Sequence, residues 1–425
     1  MQITFNKYLK FKYIINLLIA ILPLSFIAGN LIINLNVLLI ILSSLIFFNL
    51  DFFKFKYYLV DKLLIIFFFY SLFVGILNFY NFPETNNKFV TENLIKSIVF
   101  FRYLLLYFSI RIILKNNLLN FKIFYVVSTL CALFVSLDLI FQLISGSDIF
   151  GNIKTSYKLS GPFGSEEIAG SYLQRFSIFS FFLFASYIGF KNKNKLIFIL
   201  SVYFALIFFS VLISGNRMPT ILFLLMFAIL FLYEKKLRKY TLLYILLSLI
   251  LFIIIFKFSP QISNYTLHFI NRALEIFVSL YDVFFLGKKL AVTNTYIKEF
   301  YTGYNVWIEN FFLGVGINAF HINCAKTISY CASHPHNYYL EILSELGIIG
   351  FFLIVTIFTK ALLMIDYKNH INSNFNNNLI YPFILLFIVE IFPFKTSGSF
   401  FTTGNATFIF IIMAILVGLS KKHTN

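Results

Sequence analysis

Long apolar stretches alternate with short polar ones along almost the whole chain. A helix needs roughly 20 mostly apolar residues to cross a bilayer, and stretches of that length predict about twelve membrane-spanning helices. The predicted spans centre on Leu18, Leu39, Phe69, Leu105, Leu133, Phe181, Phe204, Leu225, Ile250, Leu353, Leu385 and Ile412. The pattern predicts an all-α, polytopic integral membrane protein in which residues 1–425 form a single membrane domain.

The composition and the charges support this class and suggest an orientation. Of the 425 residues, 60% are hydrophobic and 12% are charged, and the net charge is +17. Lys and Arg favour the cytoplasmic side of a span, and every second connection here is basic, which predicts that both termini are cytoplasmic. Because no basic segment stands free of the membrane, the charge indicates topology and contact with anionic lipid, not nucleic-acid binding.

The same alternation predicts four noteworthy segments on the outer side. They are residues 81–96, 145–170, 214–217 and 259–334. The last lies in the predicted loop region 258–335, between the ninth and tenth helices. There Leu267, Ile270, Leu274 and Phe277 recur at helical spacing, which predicts a helix lying on the membrane face or packed on the bundle.

Four ionisable residues fall within apolar stretches, where a charge is costly unless it has a role or a partner. They are Arg102, Asp138, Arg175 and Glu390. The predicted topology puts all four in the outer half of the membrane, near the level of Arg217. One interpretation is structural pairing, for example of Arg102 with Asp138. The other is a polar cavity open to the outside, in which the excess of arginine suits a phosphate-bearing ligand.

Arg217 lies where one predicted span ends at Gly215-Asn216 and the next begins with Pro219. A guanidinium fixed there could bind a diphosphate in a bidentate manner, although an arginine at a span edge can also reach toward lipid headgroups. Arg272, on the predicted surface helix, offers a second cation, or simply belongs to a solvated polar face.

His336 is the candidate for acid–base chemistry. Pro335 suits the first turn of a helix, which predicts His336 and Asn337 at the N-terminal end of the tenth span. The helix dipole there disfavours the imidazolium, which leaves the ring available as a general base. A purely structural role for His336 is the alternative.

Two cysteines precede this histidine. Cys324 and Cys331 could form a disulfide that closes a short loop. They could instead bind zinc together with His334 and His336, although that spacing is not a standard one, and we expect no metal. The chain has no P-loop, Rossmann glycine fingerprint, Gly-x-Ser-x-Gly or His-Glu-x-x-His motif. We therefore expect no cofactor, and a lipid-linked substrate is favoured over a soluble nucleotide donor.

Three blocks late in the chain resemble the O-antigen ligase/polymerase superfamily of membrane glycosyltransferases. They are Trp307-Ile-Glu-Asn-Phe-Phe-Leu-Gly-Val-Gly-Ile-Asn-Ala-Phe320, His334-Pro-His-Asn-Tyr-Tyr-Leu-Glu341 and Leu346-Gly-Ile-Ile-Gly350. Ser214-Gly-Asn-Arg217 is similar to a motif of the family at a periplasmic span edge, and Gly161–Gly170 to its upstream loop. Residues 200–355 are the predicted ligase-like core region.

The resemblance implies metal-independent glycosyl transfer at the periplasmic face of the bacterial inner membrane. The implied donor is a glycan on undecaprenyl diphosphate. The implied acceptor is the lipid A core in a ligase, or another lipid-linked repeat unit in a polymerase. His336 would be the catalytic histidine, and Arg217 would bind the diphosphate, with Arg272, Arg102 and Arg175 as further substrate-binding candidates. Gly303 departs from the arginine that many members have there.

A transporter or flippase for a polar lipid is the rival class, since many spans with buried charges would fit it too. Transporters usually have two matching halves with interrupted helices. Here the polar signals gather on one predicted face, beside one large outer loop late in the chain, which favours a transferase.

Overall fold

The computed structural model describes residues 2–81, 87–153, 158–188, 193–233, 295–327, 331–365, 380–396 and 398–420, together with scattered positions between 238 and 281. This part of the chain is helical. It has no strand, and only an isolated bridge joins Ser147 to Ile153. The all-α expectation is confirmed.

The helices are labelled in chain order. The first eight are α1 (Gln2–Ala28), α2 (Asn30–Phe48), α3 (Leu59–Asn81), α4 (Asn87–Phe100), α5 (Arg102–Lys115), α6 (Phe121–Ser145), α7 (Ala169–Phe176) and α8 (Ile178–Ile188). The others are α9 (Lys193–Ile213), α10 (Arg217–Tyr233), α11 (Thr295–Glu309), α12 (Phe320–Thr327), α13 (Tyr338–Leu363), α14 (Tyr381–Glu390) and α15 (Thr403–Ser420). Short 3₁₀ turns occupy Asn49–Asp51 and Gly161–Phe163.

Seven helical segments among the described residues are long and apolar enough to cross a membrane. They are Lys7–Ala28, Asn30–Asp51, Leu59–Tyr80, Thr91–Lys115, Phe121–Ser145, Tyr338–Leu363 and Thr403–Ser420. Three shorter apolar helices are Phe198–Ile213, Arg217–Leu232 and Tyr381–Glu390. The polytopic membrane class is confirmed. The count of about twelve spans stays a prediction, since most residues around Ile250 lie outside the described part.

One predicted span includes a turn between two consecutive helices. The stretch centred on Phe181 is two helices, α7 and α8, with Ser177 between them in a turn. Ser177 donates its N–H to the Leu173 carbonyl at 3.0 Å, and Ser180 donates to the Ser177 carbonyl at 3.1 Å. Ser177 keeps right-handed helical dihedral angles (φ −69°, ψ −28°), so the turn does not contradict a single span centred on Phe181, which stays a prediction.

The chain folds as two compact units, each assembled from three segments. The first unit comprises residues 1–43, 117–272 and 368–389, and the second comprises residues 44–116, 273–367 and 390–425. In the first unit α6 packs against α1, α7, α8 and α9. The Asn16 amide donates to the Leu118 carbonyl at 2.8 Å and accepts from the Asn120 N–H at 2.6 Å, which ties α1 to the start of α6.

In the second unit α15 packs along α5, and α13 packs against α3 and α11. A buried ion pair joins α3 to α5: Arg111 Nε lies 3.2 Å from Asp61 Oδ1, and the side chains are only 7% and 0% exposed. The Tyr107 hydroxyl and the Tyr58 N–H also donate to the Asp61 carboxylate, both at 2.7 Å. Breaking a pair of this kind leaves an uncompensated buried charge, so it fixes the two helices structurally.

Candidate functional site

The start of α13 holds the predicted catalytic histidine. Asn337 is the N-cap of this helix, and its side chain accepts from the N–H groups of Tyr339 and Leu340. His336 precedes the cap with φ of 51°, a left-handed backbone conformation that is uncommon for a residue with a side chain. The placement of Pro335 in the first helical turn was wrong. Because Asn337 supplies the cap, the helix begins only at Tyr338.

A carboxylate that the sequence interpretation had missed faces the histidine. His336 Nε2 lies 3.7 Å from Glu299 Oε1, with the side chains 34% and 8% exposed. This is longer than a hydrogen bond, and the two groups attract each other electrostatically when the imidazole is protonated. His334 is also adjacent, with its ring centroid 4.1 Å from that of His336.

The sequence contained one sign that Glu299 is buried, namely its place in a helical repeat. Glu299, Thr302, Gly303 and Val306 form the buried face of α11 at intervals of three and four residues. Gly303 lies against Pro335: an added Cβ would come within 2.8 Å of the Pro335 Cβ. Glu299 and Gly303, one turn apart, thus contact successive residues of the Pro335-His336 segment.

A second pair of charged residues, Lys395 and Glu390, lies near the N-cap residue Asn337. The Asn337 amide donates to the carbonyls of Pro393 and Lys395 at 2.8 and 3.3 Å. Lys395 Nζ lies 2.5 Å from Glu390 Oε1 in a pair that is almost fully buried. The Tyr338 hydroxyl donates to the same Glu390 oxygen at 2.9 Å, and Lys395 lies over the Tyr338 ring. Glu390 was a predicted candidate, whereas its partner Lys395 was missed.

The glycine block after Trp307 packs against an interruption in α13. Gly347 has φ of 64° and ψ of −171° and breaks the helix. The Val315 and Gly316 N–H groups donate to the carbonyls of Ser344 and Glu345 at 3.0 and 2.8 Å, and Ile348 N–H donates to Phe311 O at 2.9 Å. Tyr70 OH donates to the Leu346 carbonyl at 2.8 Å. The main-chain groups freed by the break are therefore satisfied by another segment.

Two buried carboxylates of α13 hold the loops around it. Glu345 accepts the N–H of Asn318 at 2.9 Å and of Phe320 at 3.4 Å, where α12 begins. Glu341 accepts the Phe400 N–H at 2.5 Å. Both side chains are engaged with backbone amides, which assigns them a structural role.

Arg102, the first residue of α5, lies within the second unit. Its Nη2 donates to Tyr103 OH at 2.6 Å and to Thr403 Oγ1 at 3.3 Å, at the start of α15. The suggested structural pairing of Arg102 with Asp138 stays a prediction. Asp138 belongs to the first unit and accepts the Ile149 N–H at 2.8 Å.

The first unit contains the Ser214–Arg217 motif and the upstream loop, and it brings them together. Helix α9 ends at Ile213 and α10 begins at Arg217, as the sequence indicated, with Arg217 half-buried in the first turn. Gly170 lies so close that an added Cβ would meet Ser214 Oγ at 2.6 Å. Leu159 N–H also donates to the Ser214 carbonyl at 3.3 Å.

Other charged groups occupy the same unit. Arg175 is buried near the end of α7, and Lys158 pairs with Glu167 at 2.6 Å in the upstream loop. Arg272 lies outside the described residues, as does most of the predicted loop region 258–335 before residue 295.

Cys324 and Cys331 are close in space, with Cα atoms 5.6 Å apart, which is within the range of a disulfide. Cys131 is buried in α6. In the part of the chain that the structure describes, no group of three or more His, Cys, Asp or Glu side chains could hold a metal ion.

Comparison with protein families gives one match. Residues 202–355 match the family model described as O-antigen ligase. The resemblance to the O-antigen ligase superfamily is confirmed over this region. The matched region contains Arg217, Glu299 and His336 as well as the Gly347 break, whereas Arg102 and Arg175 lie outside it. A search of curated proteins finds no match to this chain.

Proposed function

We propose that the protein is an O-antigen ligase-like glycosyltransferase that moves a glycan from undecaprenyl diphosphate to the lipid A core. The family match supports membrane glycosyl transfer at the coarse level of an O-antigen ligase or polymerase. We further propose that it acts at the periplasmic face of the inner membrane with both termini in the cytoplasm. The partners would be membrane lipid, the lipid-linked donor and the glycan acceptor.

The observation that supports the proposal most is the position of His336 at the start of α13. The ring is partly exposed, it follows Pro335 in a left-handed conformation, and the residue after it is the N-cap of α13. A general base needs a fixed position and access to its substrate. His336 would take the proton from the acceptor hydroxyl as that oxygen attacks the anomeric carbon and the bond to the diphosphate breaks.

The leaving group sets the second requirement. A departing diphosphate carries negative charge, and fixed guanidinium groups stabilise such charge in the transition state. Arg217 is the proposed diphosphate ligand, with Arg102, Arg175 and Arg272 as further candidates for substrate binding. This chemistry requires neither a cofactor nor a metal. The disulfide between Cys324 and Cys331 would stabilise the loop before His336.

The first experiment compares His336→Ala with His334→Ala in membranes supplied with purified undecaprenyl-diphosphate-linked glycan and acceptor. A general base contributes about 10²–10⁴-fold, so His336→Ala should lose roughly 3–5 kcal/mol of barrier reduction. His334→Ala is the matched control and should cost far less. A nearly active His336→Ala enzyme contradicts the base assignment, and loss of wild-type activity on adding a chelator contradicts metal independence.

A gene deletion followed by gel analysis of lipopolysaccharide distinguishes the two family activities. A ligase is indicated if all capped lipid A is lost while polymer accumulates on undecaprenyl diphosphate. Capping of lipid A with a single repeat unit would instead indicate a polymerase that joins lipid-linked units. Unchanged lipopolysaccharide with altered distribution of a polar lipid would favour the transporter class.

A further inference from the structure

One face of α11 touches two successive residues of the segment that carries the histidine. Glu299 faces the His336 ring at 3.7 Å, and Gly303 lies under Pro335. These two positions are one helical turn apart, so they belong to the same stripe of the helix. The stripe is buried at both positions, and it continues through Thr302 and Val306.

We propose that Glu299 and Gly303 are positioning residues for His336, and this rests on the proposed function. Glu299 would orient the ring and stabilise the imidazolium that forms when His336 takes a proton. Gly303 would let Pro335 lie directly on the helix, which brings the following residue over Glu299. Neither residue needs to touch the substrate, because both act through the position and charge of the histidine.

The electrostatic part of the argument follows from burial. Glu299 is 8% exposed, and an interaction over about 4 Å with a buried carboxylate is stronger than in bulk water. A carboxylate beside an imidazole is a recurring way to hold the ring and to support its protonated form. The 3.7 Å separation leaves room for tightening when the substrate binds.

The steric part of the argument follows from the Gly303 backbone. An added Cβ would stand 2.8 Å from the Pro335 Cβ, closer than such atoms normally approach. It would also stand 3.5 Å from the Leu340 Cβ, which is ordinary contact. Any side chain at position 303 must therefore displace Pro335, and with it His336, by several tenths of an ångström or more. The close contact with Pro335 therefore leaves no room for an arginine side chain at position 303 unless Pro335 moves.

The test measures kcat and KM for glycan transfer in purified, membrane-reconstituted full-length protein. Glu299→Gln keeps the shape and removes the charge, and kcat should fall on the order of 10–100-fold while KM changes little. Glu299→Asp should recover part of the loss. Glu309→Gln, on an exposed position of the same helix, is the matched control and should behave as wild type.

Gly303→Ala and Gly303→Val provide an independent series. Activity should fall with side-chain size, by roughly tenfold or more for Ala, because small displacements of a catalytic group are costly. Tyr301→Ala, at an exposed position of α11, controls for general effects on this helix. This series keeps the proposal testable even if Glu299→Gln fails to accumulate.

A double-mutant comparison separates positioning from general stabilisation. In a His336→Ala background, Glu299→Gln should cause no further loss if Glu299 acts through the histidine. Wild-type kcat in Glu299→Gln, or losses that add fully in the double variant, would overturn the positioning role. A fully active His336→Ala would instead contradict the base assignment on which the positioning role rests, and absence of glycan transfer by the wild-type protein would contradict the proposed function, so these failures are distinguishable.

Discussion

At the scale of single residues, Arg217 offers the most direct test of donor binding. It begins α10, where main-chain N–H groups and the helix dipole already favour an anion. Arg217→Lys keeps the charge and loses the planar fork that grips a diphosphate with two bonds. We expect transfer activity to fall by about tenfold or more, with KM for the lipid-linked donor raised.

The measurement compares Arg217→Lys with Arg238→Lys, an arginine whose Nε donates to the Phe231 carbonyl at 2.9 Å. The control should transfer glycan at the wild-type rate, and both variants should insert to the same level. Wild-type turnover in Arg217→Ala would show that this guanidinium does not bind the donor.

The sequence predicts residues well when their chemistry shows in one short motif. Asn337 and His336 lie at the start of α13 because a capping side chain follows the histidine directly. Glu299 could not be selected in the same way, since its role depends on a contact between residues 37 positions apart (336 − 299). Lys395 and the Asp61–Arg111 pair were missed for a related reason: each charge is compensated by a partner that only the fold reveals.

At the scale of elements, the break in α13 depends on the glycine at position 347. Gly347 lies in a backbone region that is essentially reserved for glycine, and an added Cβ would come within 2.2 Å of the Phe312 carbonyl oxygen. Backbone strain and overpacking together predict that Gly347→Ala destabilises the fold by on the order of 2–6 kcal/mol.

This expectation is checked by the thermal inactivation temperature of detergent-solubilised protein. Ile349→Ala, an exposed position two residues further on, should lie close to wild type and serves as control. A Gly347→Ala variant with unchanged inactivation temperature would mean that α13 can run straight and that the interruption is dispensable.

The sequence predicted the presence of the long membrane-spanning helices well and predicted their ends and interruptions poorly. Apolar length placed α1, α3, α6 and α15 because spans of that length must satisfy their own backbone hydrogen bonds. It missed the break at Gly347, since this is decided by local dihedral angles. The beginning of α13 was misplaced because proline at a first turn is only a preference, and Asn337 supplied the stronger signal.

At the scale of the whole molecule, the alternation of basic connections predicts the orientation in the membrane. Lys115 and Lys122 flank the start of α6, and Lys360 lies in the last turn of α13. These ends should face the cytoplasm, since positive residues near span ends are retained there. The opposite ends, including Ser145 and Asn337, should then face outward, which is the side that the proposed chemistry requires.

The prediction is tested with two probe cysteines that flank one helix, in a Cys131→Ala background. Phe150→Cys lies in the exposed turn after α6, and Lys122→Cys lies at its beginning. A membrane-impermeant maleimide should label Phe150→Cys in spheroplasts and Lys122→Cys only after lysis, because a span of this length separates the two positions. The reverse pattern would contradict the predicted orientation of α6, and with it the alternation of basic connections from which an outward-facing His336 is predicted.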